Sequence, residues 1–179
     1  MNILDEIKEL KEKLNALESK ANKFVKINDI AVGEQFVYCG YTYTKLNEEN
    51  FCIIDDYDDN FMSCQFDPIT NNYDESLIRH YINSNRFIKR LEVNKADIKP
   101  HYKDDLITLL SKEEYEKYKG SIECSDDWWT TRTAGSCYAY GVYGIPCGII
   151  DYCSIHNVYW VRVCFNLDPN TPVICKDNE

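Results

Sequence analysis

Long apolar runs are missing from this sequence. No stretch of about 18 apolar residues occurs, which excludes a hydrophobic membrane-spanning helix. Cations are scarce too: 20 Lys and Arg stand against 30 Asp and Glu, for a net charge of −10. An acidic surface without a basic stripe repels nucleic acid and anionic membranes, so neither is expected as a partner. The opening residues, Met1 to Lys13, have neither the basic head nor the apolar core of a signal peptide. The expectation is cytoplasmic synthesis. Display on a phage particle or a cell surface, through lysis or a carrier, would need no such peptide.

Close cysteine pairs are absent as well. Nine cysteines are present, yet their number is odd and no two are spaced C-x-x-C. Disulfide frameworks favour even counts and zinc sites favour close pairs, so free and mostly buried thiols are expected, with no metal or cofactor. Three histidines, His80, His101 and His156, form no Ser-His-Asp or Cys-His pattern, and no catalytic residues are assigned. The acidic segment Asp55–Asp59 has no glycine at the turn and no glutamate at loop position 12, so it reads as a solvated loop rather than a calcium site.

What the chain does have is size, tyrosine and an ordered beginning. A length of 179 residues allows one domain with an extension. Ile3, Ile7, Leu10, Leu14, Leu17, Ala21 and Phe24 recur at alternating steps of four and three, a heptad seam. In a parallel pairing Glu6 meets Lys11 of the neighbour and Lys13 meets Glu18, both opposite in sign. Residues 1–24 are therefore expected to be a coiled-coil oligomerisation helix. An amphipathic helix packed on its own domain is the alternative.

Residues 25–179 read as one α+β domain. Glu34–Leu46 and Phe51–Ile54 form a hairpin about a polar turn at Asn47–Asn50. Asn72 and Glu75 form a capping box that starts a helix to about Asn83, with Leu77, Ile78, Tyr81 and Ile82 inward. Ser111 and Glu114 form a second box, followed by Tyr115, Tyr118 and a stop at Gly120. Phe87–Tyr102 is expected to be irregular. Trp160–Leu167 alternates as a strand, with Val161, Val163, Phe165 and Leu167 on one face.

Several of these blocks occur together elsewhere. Glu75–Asn83 (ESLIRHYIN), Leu109–Tyr115 (LLSKEEY), Asp127–Thr133 (DWWTTRT) and Trp160–Asp168 (WVRVCFNLD) follow one another across residues 28–172. In that order they resemble an uncharacterised domain family of Firmicutes and their phages, with a WWLRS-like block and a closing GVRPA-like strand. Trp160 stands where that family has glycine, and Val163–Cys164 where it has Pro-Ala. The family is similar to the C-type-lectin-like fold of formylglycine-generating enzymes and of variable proteins from diversity-generating retroelements. The resemblance implies small antiparallel sheets, packed helices and irregular loops tied by Trp and Arg. The calcium-dependent sugar motifs of true lectins are absent.

Residues 136–159 (SCYAYGVYGIPCGIIDYCSIHNVY) sharpen that implication. Lys, Glu, Gln, Met and Trp make up 36 of the 179 residues, yet this stretch of 24 contains none. Retroelement mutagenesis randomises template adenines, and an Asn codon so altered cannot yield any of those five. Every residue of the stretch belongs to the reachable set. Short Tyr- and Gly-rich hairpins, which exclude long charged side chains, explain the same composition without mutagenesis.

Tyrosine and asparagine supply rigid contact area and adaptable hydrogen bonds at low entropic cost. Tyr138, Tyr140, Tyr143, Tyr152, His156, Asn157 and Tyr159 are the expected ligand-binding residues of a stretch spanning about 136–160. Trp128, Trp129, Arg132 and Arg162 are expected to be structural. The function read from the chain is recognition of a surface protein or glycan by a non-catalytic homo-oligomer. A structural or assembly subunit of a phage or mobile element is the alternative. A formylglycine-generating-like oxidase, with Cys147 and Cys153 as its copper pair, is remote because the surrounding motif does not match.

Overall fold

A computed structural model describes residues 6–7, 9–13, 23–55, 62–122, 129–135, 141–145 (backbone alone at 141–144) and 150–176. It is mixed α+β and mostly β, with a curled antiparallel sheet and few helices. Among the described residues no helix is long and apolar enough to cross a membrane.

Seven strands make the larger sheet. They are β1 (Phe24–Lys26), β2 (Gln35–Tyr38), β3 (Tyr41–Lys45), β4 (Phe51–Ile54), β6 (Ile98–Lys99), β11 (Cys164–Leu167) and β12 (Pro172–Cys175), in the order β1-β12-β2-β3-β4-β11-β6. Every pairing is antiparallel. Phe24, expected to be the last seam residue of the helix, lies instead in β1 opposite Ile174. The run Glu34–Leu46 is two strands rather than one. Cys39 and Gly40 both have positive φ (51° and 83°) between the paired Tyr38 and Tyr41, the backbone of a tight hairpin turn matched to strand twist.

The unbroken apolar run in β4 follows from burial on both faces. Cys52 and Ile54 point into one core with Phe36, Tyr43 and Phe165; Phe51 and Ile53 point into another with Leu110, Tyr115 and Trp129. The first core is roofed by α1 (Leu77–Ile82) and α2 (Asn85–Arg90), through Ile78, Ile82, Phe87 and Ile88. The second is roofed by α3 (Lys112–Tyr118) and strand β7 (Trp129–Ala134). Each fully buried large apolar side chain contributes roughly 1.5–3 kcal/mol.

Helix starts follow their caps. Ser111 and Glu114 form the expected reciprocal box at α3. Asn72, in contrast, caps only a short 3-10 turn (Tyr73–Glu75), and Ser76 restarts the chain as α1 by accepting from Arg79 N–H at 3.3 Å. That shift leaves Leu77 exposed at 46%, not inward. Within the segment expected to be irregular, Ser84 caps α2 through Phe87 N–H.

Five strands form the second sheet, in the order β5-β10-β7-β8-β9, where β5 is Ser63–Gln65, β8 Gly141–Ile145, β9 Asp151–Ser154 and β10 Val158–Trp160. Trp160–Leu167 is therefore not one strand. β10 belongs to the smaller sheet and β11 to the larger, and Val161–Val163 carries the chain between them. At this crossing Arg162 is only 1% exposed. Its Nε donates to Ile54 carbonyl at 3.1 Å and its guanidinium reaches Asp55 Oδ1 at 2.5 Å, 5.4 Å from the Trp129 ring. Thr44 and Gln35 donate to the other Asp55 oxygen. Asp55 is thus a buried counter-ion, whereas residues 56–59 of the acidic segment lie outside the described residues.

The expected helix at the N-terminus is helical at residues 6–7 and 9–13, with Ile7 and Leu10 exposed at 45% and 64%. Lys13 pairs with Glu9 at 2.6 Å along the same helix. The remaining seam positions, other than Phe24, lie outside the described residues.

Candidate functional site

The order of the second sheet forces a concavity. β9 is its edge, and β10 follows in the chain after only Ile155, His156 and Asn157, yet lies three strand intervals away. In a flat sheet those intervals take about 14 Å, nearly the full reach of about 15 Å for the four Cα steps from Ser154 to Val158. The connection is not stretched. Asn157 N–H donates to Ser154 carbonyl at 3.3 Å and His156 N–H to Ser154 Oγ at 3.2 Å, a compact turn. The sheet must therefore curl until the end of β9 meets the start of β10.

That corner holds a cavity of about 710 Å³ lined by Tyr152, Cys153, Ser154, His156, Asn157, Val158 and Tyr159. Its volume lies in the range of small-molecule sites. Asp67 N–H donates to Ile155 carbonyl at 3.4 Å, and Val158 pairs with Gln65 of β5, so the corner is anchored to the first core from beneath. Ile155 is itself fully buried.

Strand alternation sorts the lining. Tyr152 faces out of β9 at 37% exposure, while its neighbour Cys153 faces in. Val158 is 66% exposed on β10, so its neighbour Tyr159 must face in, and it is buried at 7%. Tyr159, expected among the ligand-binding residues, thus lines the cavity as a buried residue at its floor. Burial, with the Cys153 thiol alongside, pushes the Tyr159 hydroxyl up to about 12. Burial likewise pushes the Cys153 thiol up to about 11, although hydrogen bonds with Tyr159 and Thr130 draw it back. Both groups are neutral at physiological pH, and a thiol so raised is a poor nucleophile.

Of the other expected contact residues, His156 and Asn157 are exposed on the turn and line the cavity with Tyr152. Tyr143 is opposite Tyr152 in the β8–β9 register; its side chain, and all of Tyr138 and Tyr140, lie outside the described residues. Cys153, Ser154 and Val158 also line the cavity and were not among the expected contacts. Period-two alternation about Tyr152 and Tyr159 was the available signal, obscured because the turn at Ile155–Asn157 resets the phase.

Trp129, Arg132 and Arg162 sit away from the corner and act structurally. Trp129 is 2% exposed. Arg132 grips Glu114 with both guanidinium nitrogens at 2.6 and 2.7 Å, donates to Leu109 carbonyl and lies 4.7 Å over the Tyr102 ring. His101 Nε2 meets the same carboxylate at 3.0 Å, its ring stacked on Phe51 at 3.7 Å. Burial alone would raise Glu114, but hydrogen bonds from His101, Arg132 and Ser111 N–H outweigh it and hold the carboxyl at about 2. Trp128 lies outside the described residues.

The six described cysteines carry free thiols, and three of them are buried. Cys147 lies outside the described residues, while Cys153 is occupied as floor of the corner. Among the described residues no group of three or more His, Cys, Asp or Glu is placed to hold a metal ion. A second cleft of about 430 Å³ lies between Glu34–Gln35 and Gly120–Ile122. The carboxylate among its described lining residues, Glu34, already accepts Ala31 N–H at 3.1 Å.

The chain matches no model of a known protein family, no curated protein and no solved structure.

Proposed function

We propose that this chain is a non-catalytic ligand-binding protein, with the β9–β10 corner as its recognition site. The observation that carries the reading is one of coincidence. The described residues that line the cavity at the corner all fall within 152–159, inside the tyrosine-rich stretch singled out by composition. The chemistry of the lining supports binding over turnover. Its thiol and phenol are held neutral, and His156 lies exposed on the rim.

On this reading the domain is C-type-lectin-like and residues 136–159 are a stretch diversified by a retroelement. Support comes from the block order in the sequence and from the depletion of five residue types. The exposed Ile7 and Leu10 further support a seam covered by copies of the same chain, which would gather several weak sites into avidity. The chain's neighbouring genes test the retroelement origin: a reverse transcriptase and an adenine-differing template repeat are expected, and their absence removes it.

The recognition reading is tested on bacterial cells, phage particles and their purified surface glycans and proteins. Saturable binding is expected, and deleting residues 1–22, which spares β1, should turn an oligomer into a monomer and weaken surface binding about a hundredfold through lost avidity. If the full chain binds none of these surfaces and copurifies in fixed stoichiometry with a particle subunit, it is an assembly component instead.

A further inference from the structure

We infer that the corner takes a neutral, hydroxyl-bearing ring of the saccharide class, held without calcium; this rests on the binding-module reading. Charge makes the first selection. Among the described residues no Lys, Arg, Asp or Glu lines the corner, and the chain carries a net charge of −10. An anionic ligand would find no counter-ion and a repulsive long-range field. A cationic ligand would find no carboxylate among the described lining residues. The Asp151 carboxylate next to it is turned onto its own neighbour, accepting Tyr152 N–H at 2.7 Å.

That same hydrogen bond argues against strand addition by a peptide. β9 is the edge of its sheet, and an added strand is held by main-chain bonds. Here the Tyr152 N–H is already occupied by Asp151, a charged side chain that caps the edge.

What the corner presents is suited to a polyol. Tyr152 and Val158, at 37% and 66% exposure, set apolar surface on the two strands of the opening. The C–H face of a sugar ring packs on such surface. Asn157, His156 and Ser154 bring an amide, an imidazole and a hydroxyl; the amide is steadied by the Tyr159 hydroxyl and the Ser154 hydroxyl by His156 N–H, and each keeps further donor or acceptor capacity for vicinal hydroxyls. Beneath them the Cys153–Tyr159 pair closes the floor with uncharged groups.

The test is titration of the isotope-labelled full chain with neutral mono- and disaccharides, in excess EDTA, read by amide chemical shifts. Saturable shifts confined to residues 151–160 are expected. Tyr152→Ala should weaken them about tenfold through the lost ring face, at unchanged melting temperature. If no neutral saccharide shifts these amides, or if EDTA abolishes the shifts, the inference is overturned. The same chain is then titrated with deglycosylated surface proteins. Binding there through residues 151–160 overturns the saccharide class but keeps the recognition site, whereas silence in both arms removes both.

Discussion

The two sheets of this molecule are built from the same short strands and serve opposite ends. The centre of the seven-stranded sheet is covered on both faces, so β4 has no exposed residue and β11 only one that is even partly so. Polar groups drawn into it are tied down. Lys45, 1% exposed, gives its ammonium to the carbonyls of Ile27 and Ile30, and Arg162 gives its guanidinium to Ile54 and Asp55. The five-stranded sheet ends in an edge, curls, and leaves a cavity at the curl. Stability is thus concentrated in one sheet and presentation in the other, an arrangement that lets surface residues change without cost to the core.

Breaking the joint between the sheets should have the largest effect. Arg162→Ala leaves Asp55 buried without its cation. Removing one partner of a buried pair costs about 3–5 kcal/mol, a large share of the stability of a domain this size. Urea denaturation should show it as a fall in midpoint with little change in slope. A loss below about 1 kcal/mol would mean that Asp55 is neutralised by other means and that the joint is not where the sheets are held.

Acid probes the second tie between the layers. Glu114 joins α3 to β7 through Arg132 and to the β6–β11 side through His101. Its carboxyl is held at about 2 against an ordinary 4.5, so the folded state prefers the charged form. The stabilisation is complete above the unfolded value and is lost as pH falls from 4.5 through 2. The loss amounts to about 3 kcal/mol at 1.36 kcal/mol per unit. Glu114→Gln should reduce the slope of the stability curve in that window, while Asp67, Asp74 and Asp168, whose carboxyls are also lowered, continue to contribute. An unchanged slope would show that the pair does not report on folding.

How far these features could be read in the sequence depended on their range. The Ser111–Glu114 box was legible because both halves lie within one turn. Asn72 with Glu75 misled because Ser76, one residue later, supplies a competing cap. The Cys39–Gly40 turn was missed because cysteine is not a residue that advertises positive φ. The two buried cations and the Asp55 counter-ion were invisible for a different reason: their partners are set by tertiary approach, with 107 positions separating Asp55 from Arg162. The corner lies between these cases. Its residues were singled out by composition, but which of them face inward follows from the curl of the sheet.

The smallest stability effect is expected at the corner, and it separates the two roles most sharply. Tyr152 and His156 face outward from the strand and its turn, so replacing both with alanine should move stability by no more than about 0.5 kcal/mol, as surface changes do. Tyr159 lies one strand position from the exposed Val158 but points the other way, with its hydroxyl against Cys153. Tyr159→Phe leaves the ring in place and removes that hydrogen bond, for a cost of about 1 kcal/mol. Thermal melts of the two variants side by side test the inward–outward assignment. If the double variant is the less stable of the two, its side chains are packing groups rather than presented ones, and the corner belongs to the core.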